Sequence, residues 1–162
     1  MALIIAALLW GSAAYADTLE GIAVSVRSGD TLEVRSETSK KVRIFRILGI
    51  EAPRRGQKGF ANSRRSLESL VKGQKVTVDW LHKQVCPPSG GKCGYLGKVL
   101  LKGDDIGLRL IRVGAAWQDQ GQKREQSTTD KVLYQDAERQ AVKAKAGVWK
   151  LKAKNGPKQS RN

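Results

Sequence analysis

Apolar side chains alternate with small or polar ones in several short stretches of this chain, and between the third and fourth of five expected strands the spacing switches to that of a helix. Between Leu19 and Val34, Ile22, Val24 and Val26 alternate with small or polar residues, and Ser28-Gly29-Asp30 breaks the run before Leu32 and Val34 resume it. That pattern predicts two strands around a tight turn. A third, more buried strand is expected from Lys41 to Ile50, ending at Pro53. Phe60, Arg64, Leu67, Leu70 and Val71 then follow helical spacing with Gly73 as the stop, which predicts a helix over residues 57–72. Val76, Val78 and Trp80 return to alternation as a fourth strand, and Leu96 to Lys102 makes a fifth, closed by Gly103-Asp104.

Beyond the strands, Ile106, Leu110 and Ile111 fit a short helix ending near Gly114. A last helix opens on the capping sequence Ser127-Thr128-Thr129-Asp130 and sets Leu133, Ala137, Ala141 and Ala144 on one face. Five strands with a helix between the third and fourth make an α+β chain of a definite kind: a five-stranded OB-type Greek-key barrel with about three helices. Such barrels often hold oligonucleotides, but a fold alone assigns no function.

The 162 residues suit one domain with a proper core. Residues 1–16 carry no charged side chain, run apolar from Leu3 to Trp10, and end in Ala14-Tyr15-Ala16, which reads as a secretory signal peptide. The expected domain is 17–149, followed by a polar, basic and disordered tail over 150–162. The mature protein would be periplasmic or secreted, with no stable membrane insertion, and monomeric. Its 30 Lys and Arg face 15 Asp and Glu, a formal charge of +15. An excess of that size favours a polyanionic partner, because each neutralised phosphate releases condensed counterions. Cys86 and Cys93 are the only cysteines, and in an exported chain their spacing suggests a disulfide pinning a short loop. A zinc site would need further ligands, and His82, the sole histidine, reads as an ordinary strand residue. Trp80, Trp117 and Trp149 read as core residues rather than stacking platforms, so a base-stacking surface for single strands has little support.

Four motifs occur in order: Ser28-Gly29-Asp30-Thr31, Arg46 through Pro53, Leu110 through Trp117, and Ala146-Gly147-Val148-Trp149. Together they resemble the successive signatures of the staphylococcal nuclease family, over about Leu19 to Trp149. The resemblance implies a calcium ion held between two acids at the scissile phosphate, arginines that offset charge on phosphorus, and a glutamate that helps activate water. A hard cation takes oxygen ligands, and phosphodiester attack needs its developing charge offset. Carried over residue by residue, the metal ligands would be Asp30, Glu51 in place of the usual aspartate, and the carbonyl of Ala52. Arg46 would be the first phosphate-binding arginine, its planar fork suited to bidentate contact.

Two positions depart from the pattern. Arg54 stands where the family has its glutamate, in Pro53-Arg54-Arg55-Gly56, and its charge would weaken a calcium site. The second arginine aligns with Gly94 inside Lys92-Cys93-Gly94-Tyr95. Lys92, Arg54 or Arg55 would have to offer the missing positive charge. Losing a general base typically costs about 10²–10⁴ in rate, and losing one charge partner about 10²–10³. The expected function is that of an exported, metal-dependent nuclease-like protein hydrolysing phosphodiester bonds of DNA or RNA, with Arg46 and Arg54 as its catalytic cations. The alternative is a degenerate nuclease-fold protein that binds nucleic acid without cleaving it, on a track of Arg46, Arg54, Arg55, Arg64 and Arg65. An envelope-associated structural role would need neither metal nor nucleic acid, and evenly scattered basic residues would favour it.

Overall fold

The computed structural model describes residues 17–87 and 90–150. The leader and all of the tail except Lys150 lie outside the described residues; Lys150 itself ends a short 3-10 turn, Gly147–Lys150. In chain order the elements are β1 (Asp17–Ser28), β2 (Thr31–Ser36), β3 (Val42–Ile47), β4 (Ile50–Glu51), α1 (Phe60–Val71), β5 (Lys75–Val85), β6 (Gly94–Leu101), β7 (Asp104–Asp105), α2 (Ile106–Arg112), β8 (Trp117–Gln118) and α3 (Thr128–Lys143).

Five long strands form the barrel in the order β3-β2-β1-β5-β6, with the short β7 added beside β6. A parallel pairing closes it, with Phe45 opposite Tyr95 and Ile47 opposite Gly97, while the other long-strand pairs are antiparallel. Closure leaves β3 and β6 no open edge there, the general solution to strand-edge exposure in small all-antiparallel or mixed barrels. The expected OB-type barrel with three α-helices is what forms.

Phe45, Leu32, Ile47 and Val99 fill the interior, and Leu67 and Val71 of α1 and Leu110 and Ile111 of α2 join the same buried cluster. The first strand differs from its alternation. Leu19, Gly21 and Ala23 face inward, and a register shift between Ala23 and Ser25 then turns Val26 to the core. Ile22 and Val24 are only half-buried. An extra residue in one strand of a pair produces this reversal of facing. The third stretch also splits, because Gly49 adopts φ 80°, a left-handed conformation that ends β3 and starts β4. α1 begins at Phe60, three residues later than expected, behind Gly59 with φ 91°.

α3 is capped as its sequence predicts, the Ser127 hydroxyl accepting from the Asp130 amide at 3.0 Å. Its buried face is Asp130, Tyr134, Ala137 and Ala141, whereas Leu133 is exposed and Ala144 lies beyond the helix. Trp80 is buried, while Trp117 and Trp149 are half-buried. Among the described residues no helix is long and apolar enough to cross a membrane.

Candidate nucleic-acid site

The turn Gly29-Asp30 joins β1 to β2, with Ser28 paired opposite Thr31. Its glycine is there for space. A Cβ on Gly29 would stand 1.9 Å from the Ser63 hydroxyl and 2.8 Å from the Ala52 methyl. Ser63 of α1 also donates to the Ala115 carbonyl, so turn, helix and the segment after α2 are locked together. This seats Asp30, whose Oδ1 accepts from the Ser28 hydroxyl at 2.6 Å and the Thr31 hydroxyl at 2.9 Å.

Arg46 of β3 lies directly across, since Thr31 and Arg46 are register partners. Its Nε is 3.5 Å from Asp30 Oδ2 and its Nη2 is 3.3 Å from Asp119 Oδ2. The Nε is buried and makes no hydrogen bond. Asp119 is held in turn: Oδ1 accepts from the Gly121 amide at 2.8 Å, and Oδ2 from Gln122 Nε2 at 2.8 Å. Two carboxylates therefore fix one guanidinium, leaving 26% of its side chain exposed.

An open cleft of about 290 Å³ surrounds this pair. Asp30, Arg46, Ala52, Arg54, Arg55 and Lys92, all singled out in the sequence, line it together with Arg27 and Cys86. Its lining thus carries five cationic side chains and one carboxylate. Arg27 is neutralised by Glu33, and Arg54 by Glu51 at 3.1 Å. Arg55 and Lys92 are exposed and make no ion pair with any described residue. Arg64 and Arg65 stand apart: Arg64 donates to the Val26 carbonyl at 3.0 Å and Arg65 to Asn62. They tie α1 to the barrel and to itself, and are not part of the cleft lining.

Residues 44–151 match the family model of the staphylococcal nuclease homologues. The chain belongs to the staphylococcal nuclease family. Two proteins named uncharacterized endonuclease, from Escherichia coli O157:H7 and from Escherichia coli, are each 34% identical to it over 132 residues, 81% of this chain and 77% of theirs. It is a nuclease-like protein on a nuclease-family barrel.

Against the staphylococcal nuclease pattern, the position of the second arginine is closed on physical grounds. A Cβ at Gly94 would meet the Ile44 carbonyl oxygen at 2.7 Å and its Cγ2 at 2.8 Å, because β3 runs tightly against β6 there. Lys92, two residues before that glycine, is a cation of the cleft lining on this side.

A calcium ion takes about six to eight oxygen ligands. The cleft offers one carboxylate, Asp30, with Oδ1 already engaged by two hydroxyls. Glu51 lies outside the lining and faces Arg54, and Asp119 is committed to Arg46, Gly121 and Gln122. Among the described residues no three His, Cys, Asp or Glu converge as metal ligands. Of the expected oxygen ligands, Asp30 and Ala52 line the cleft and Glu51 does not.

Asp119 is the site residue that the sequence motifs pass over. It comes from a position 73 residues beyond Arg46, carried there by the two-residue pairing of β4 with β8, Glu51 opposite Trp117. The local signal was Asp119-Gln120-Gly121, in which an Asp side chain bonds the backbone two residues on.

Proposed function

We propose that this protein grips the phosphodiester backbone of DNA or RNA in the cleft between the Gly29-Asp30 turn and the Cys86–Cys93 loop, as a nuclease-family member whose hydrolytic apparatus is incomplete. The observation that carries this reading is the lining itself: five cations against one acid, with Arg55 and Lys92 unpaired among the described residues. Cations that meet phosphates there would release the counterions condensed on the strand, a main source of affinity for basic proteins. Arg46, fixed by Asp30 and Asp119, supplies a positioned guanidinium, and its planar fork suits phosphate oxygens. The two unpaired cations, Arg55 and Lys92, would by themselves contribute about −1.4 to the log-affinity against log-salt slope on single strands.

Metal-dependent hydrolysis is the second reading, favoured by one observation: Asp30 and Arg46 stand side by side where the family needs an acid and an arginine. Export to the periplasm or medium is supported by the apolar leader and by the Cys86–Cys93 bond, since disulfides persist in oxidising compartments.

Incubating residues 17–162 with single-stranded DNA and RNA in calcium, magnesium or EDTA separates the two. Salt-sensitive binding with intact substrate in every buffer is the expected outcome. Cleavage that requires a divalent ion and disappears in Asp30→Ala would instead establish the hydrolytic reading.

A further inference from the structure

Part of the cleft lining is the tip of the β5–β6 hairpin. Val85, Cys86, Pro87, Gly90, Lys92 and Gly94 all line the cleft from that side. On its β6 side the tip is joined to β3 through the Phe45–Tyr95 pair, and on its β5 side the ladder is interrupted. β5 and β6 pair regularly up to Trp80 and Gly97, lose register, and regain only two pairs, Gln84 with Tyr95 and Val85 with Gly94. None of Gln84, Val85, Cys86 or Cys93 belongs to the buried core cluster. Immediately beyond the last pair, Cys86 and Cys93 are joined by a disulfide, and the Gly90 amide closes a turn on the Pro87 carbonyl at 3.0 Å. Lys92, adjacent to the bonded Cys93, is exposed, reaches the cleft and makes no ion pair with any described residue.

We infer that the Cys86–Cys93 disulfide is a positioning device that holds Lys92 over the phosphate site, so that affinity for a nucleic-acid strand depends on the redox state of this bond. The inference rests on the phosphate-binding reading of the cleft and deepens it. Cys86 is exposed, so a dithiol can reach it. A thiolate of the dithiol attacks one sulfur and forms a mixed disulfide, and its second thiol displaces the protein sulfur. Two electrons and two protons pass to the protein as two thiols, and the dithiol leaves as a cyclic disulfide. With the bond open, the β6 stem stays joined to β3 through Tyr95, but the stretch from Cys86 to Lys92 loses its covalent tie, and the charge is no longer fixed over the cleft.

The test measures fluorescence anisotropy of a labelled thymidine oligonucleotide in 0.1 M salt, with the protein oxidised or reduced by dithiothreitol. One phosphate contact contributes about fivefold in affinity at that salt. Reduction is expected to weaken binding by about this factor, and Lys92→Ala with its disulfide intact by the same factor. Reduced Lys92→Ala should bind like oxidised Lys92→Ala, and Lys92→Arg should bind like the wild type in both states. Near-ultraviolet circular dichroism should show the barrel tryptophans unchanged on reduction. Equal affinity before and after reduction, with two free thiols confirmed by titration, overturns the inference. So does an equal loss in wild type and Lys92→Ala, or a lost dichroism signal, each of which marks general loosening. Failure of the oxidised wild type to bind at all would strike the phosphate-binding reading itself.

Discussion

Arg46 is held by groups on both sides, and each neighbour does a different job. Asp30 is fixed by two hydroxyls and sets the guanidinium's inner side, whereas Asp119 fixes its outer side from the other end of the chain. The turn that carries Asp30 depends on Gly29 for clearance, since any Cβ would strike Ser63 and Ala52. Gly29→Ala is therefore expected to destabilise the protein by about 1–3 kcal/mol, the usual cost of overpacking, and to weaken oligonucleotide binding as Asp30 and Arg46 shift. Urea denaturation alongside anisotropy checks both effects, and an unchanged midpoint would refute the clearance argument. Asp30, Arg46, Ala52 and Arg54 were singled out because each sits in a family motif, and the structure puts them in one cleft with Arg55 and Lys92 but without Glu51. Asp119 was not singled out, because only tertiary pairing of two-residue strands brings it to Arg46.

At the scale of elements, α3 shows where hydrophobic spacing misleads. Counting apolar residues favours Leu133, yet the helix turns Tyr134 and Asp130 inward. The polar groups are buried because partners wait for them: Lys98 of β6 meets Asp130 at 2.7 Å and Asp105 at 3.3 Å, and the Tyr134 hydroxyl donates to both Asp105 oxygens at 2.9 and 3.0 Å. Burial alone would disfavour the charge on Lys98, but its hydrogen bond to Asp130 and the charge of Asp105 outweigh that and raise its pKa. Tyr134→Phe removes a hydrogen bond to a charged group and is expected to cost about 1.5–3 kcal/mol, read by thermal or urea melts. Glu138, also on α3, has its pKa raised, first by burial, partly opposed by the Gln118 amide that donates to it at 2.8 Å. A carboxyl with a raised folded pKa favours the native state only below its unfolded value, and that contribution is lost as pH rises through the folded pKa. Glu138→Gln, which keeps an acceptor for Gln118, should thus gain stability relative to wild type at pH 7. The gain should shrink as pH falls through the folded pKa and vanish below the unfolded one, and Tm measured across that window tests the sign. The β1 bulge belongs to the same class, because it depends on the partner strand β2, which a local pattern does not contain.

For the whole molecule, the order of strands and helices was readable because short apolar strand stretches are broken by turn residues and helical spacing appears only where a helix crosses. The motifs placed the family, and the net charge pointed to a polyanionic partner. What they could not place was which of the thirty basic side chains remain unpaired beside Asp30. Several are spent on the fold, as in the pairs of Lys75 with Glu20 and Glu37 and of Lys72 with Glu68. Arg55 and Lys92 are not, and they stand at the cleft. The most direct measurement is the salt dependence of single-strand affinity for the wild type and for Arg55→Ala combined with Lys92→Ala. If these side chains hold phosphates, the log-affinity against log-salt slope falls by about 1.4 in the double variant while its Tm is retained. An unchanged slope and affinity would place nucleic acid elsewhere on the protein and contradict the account.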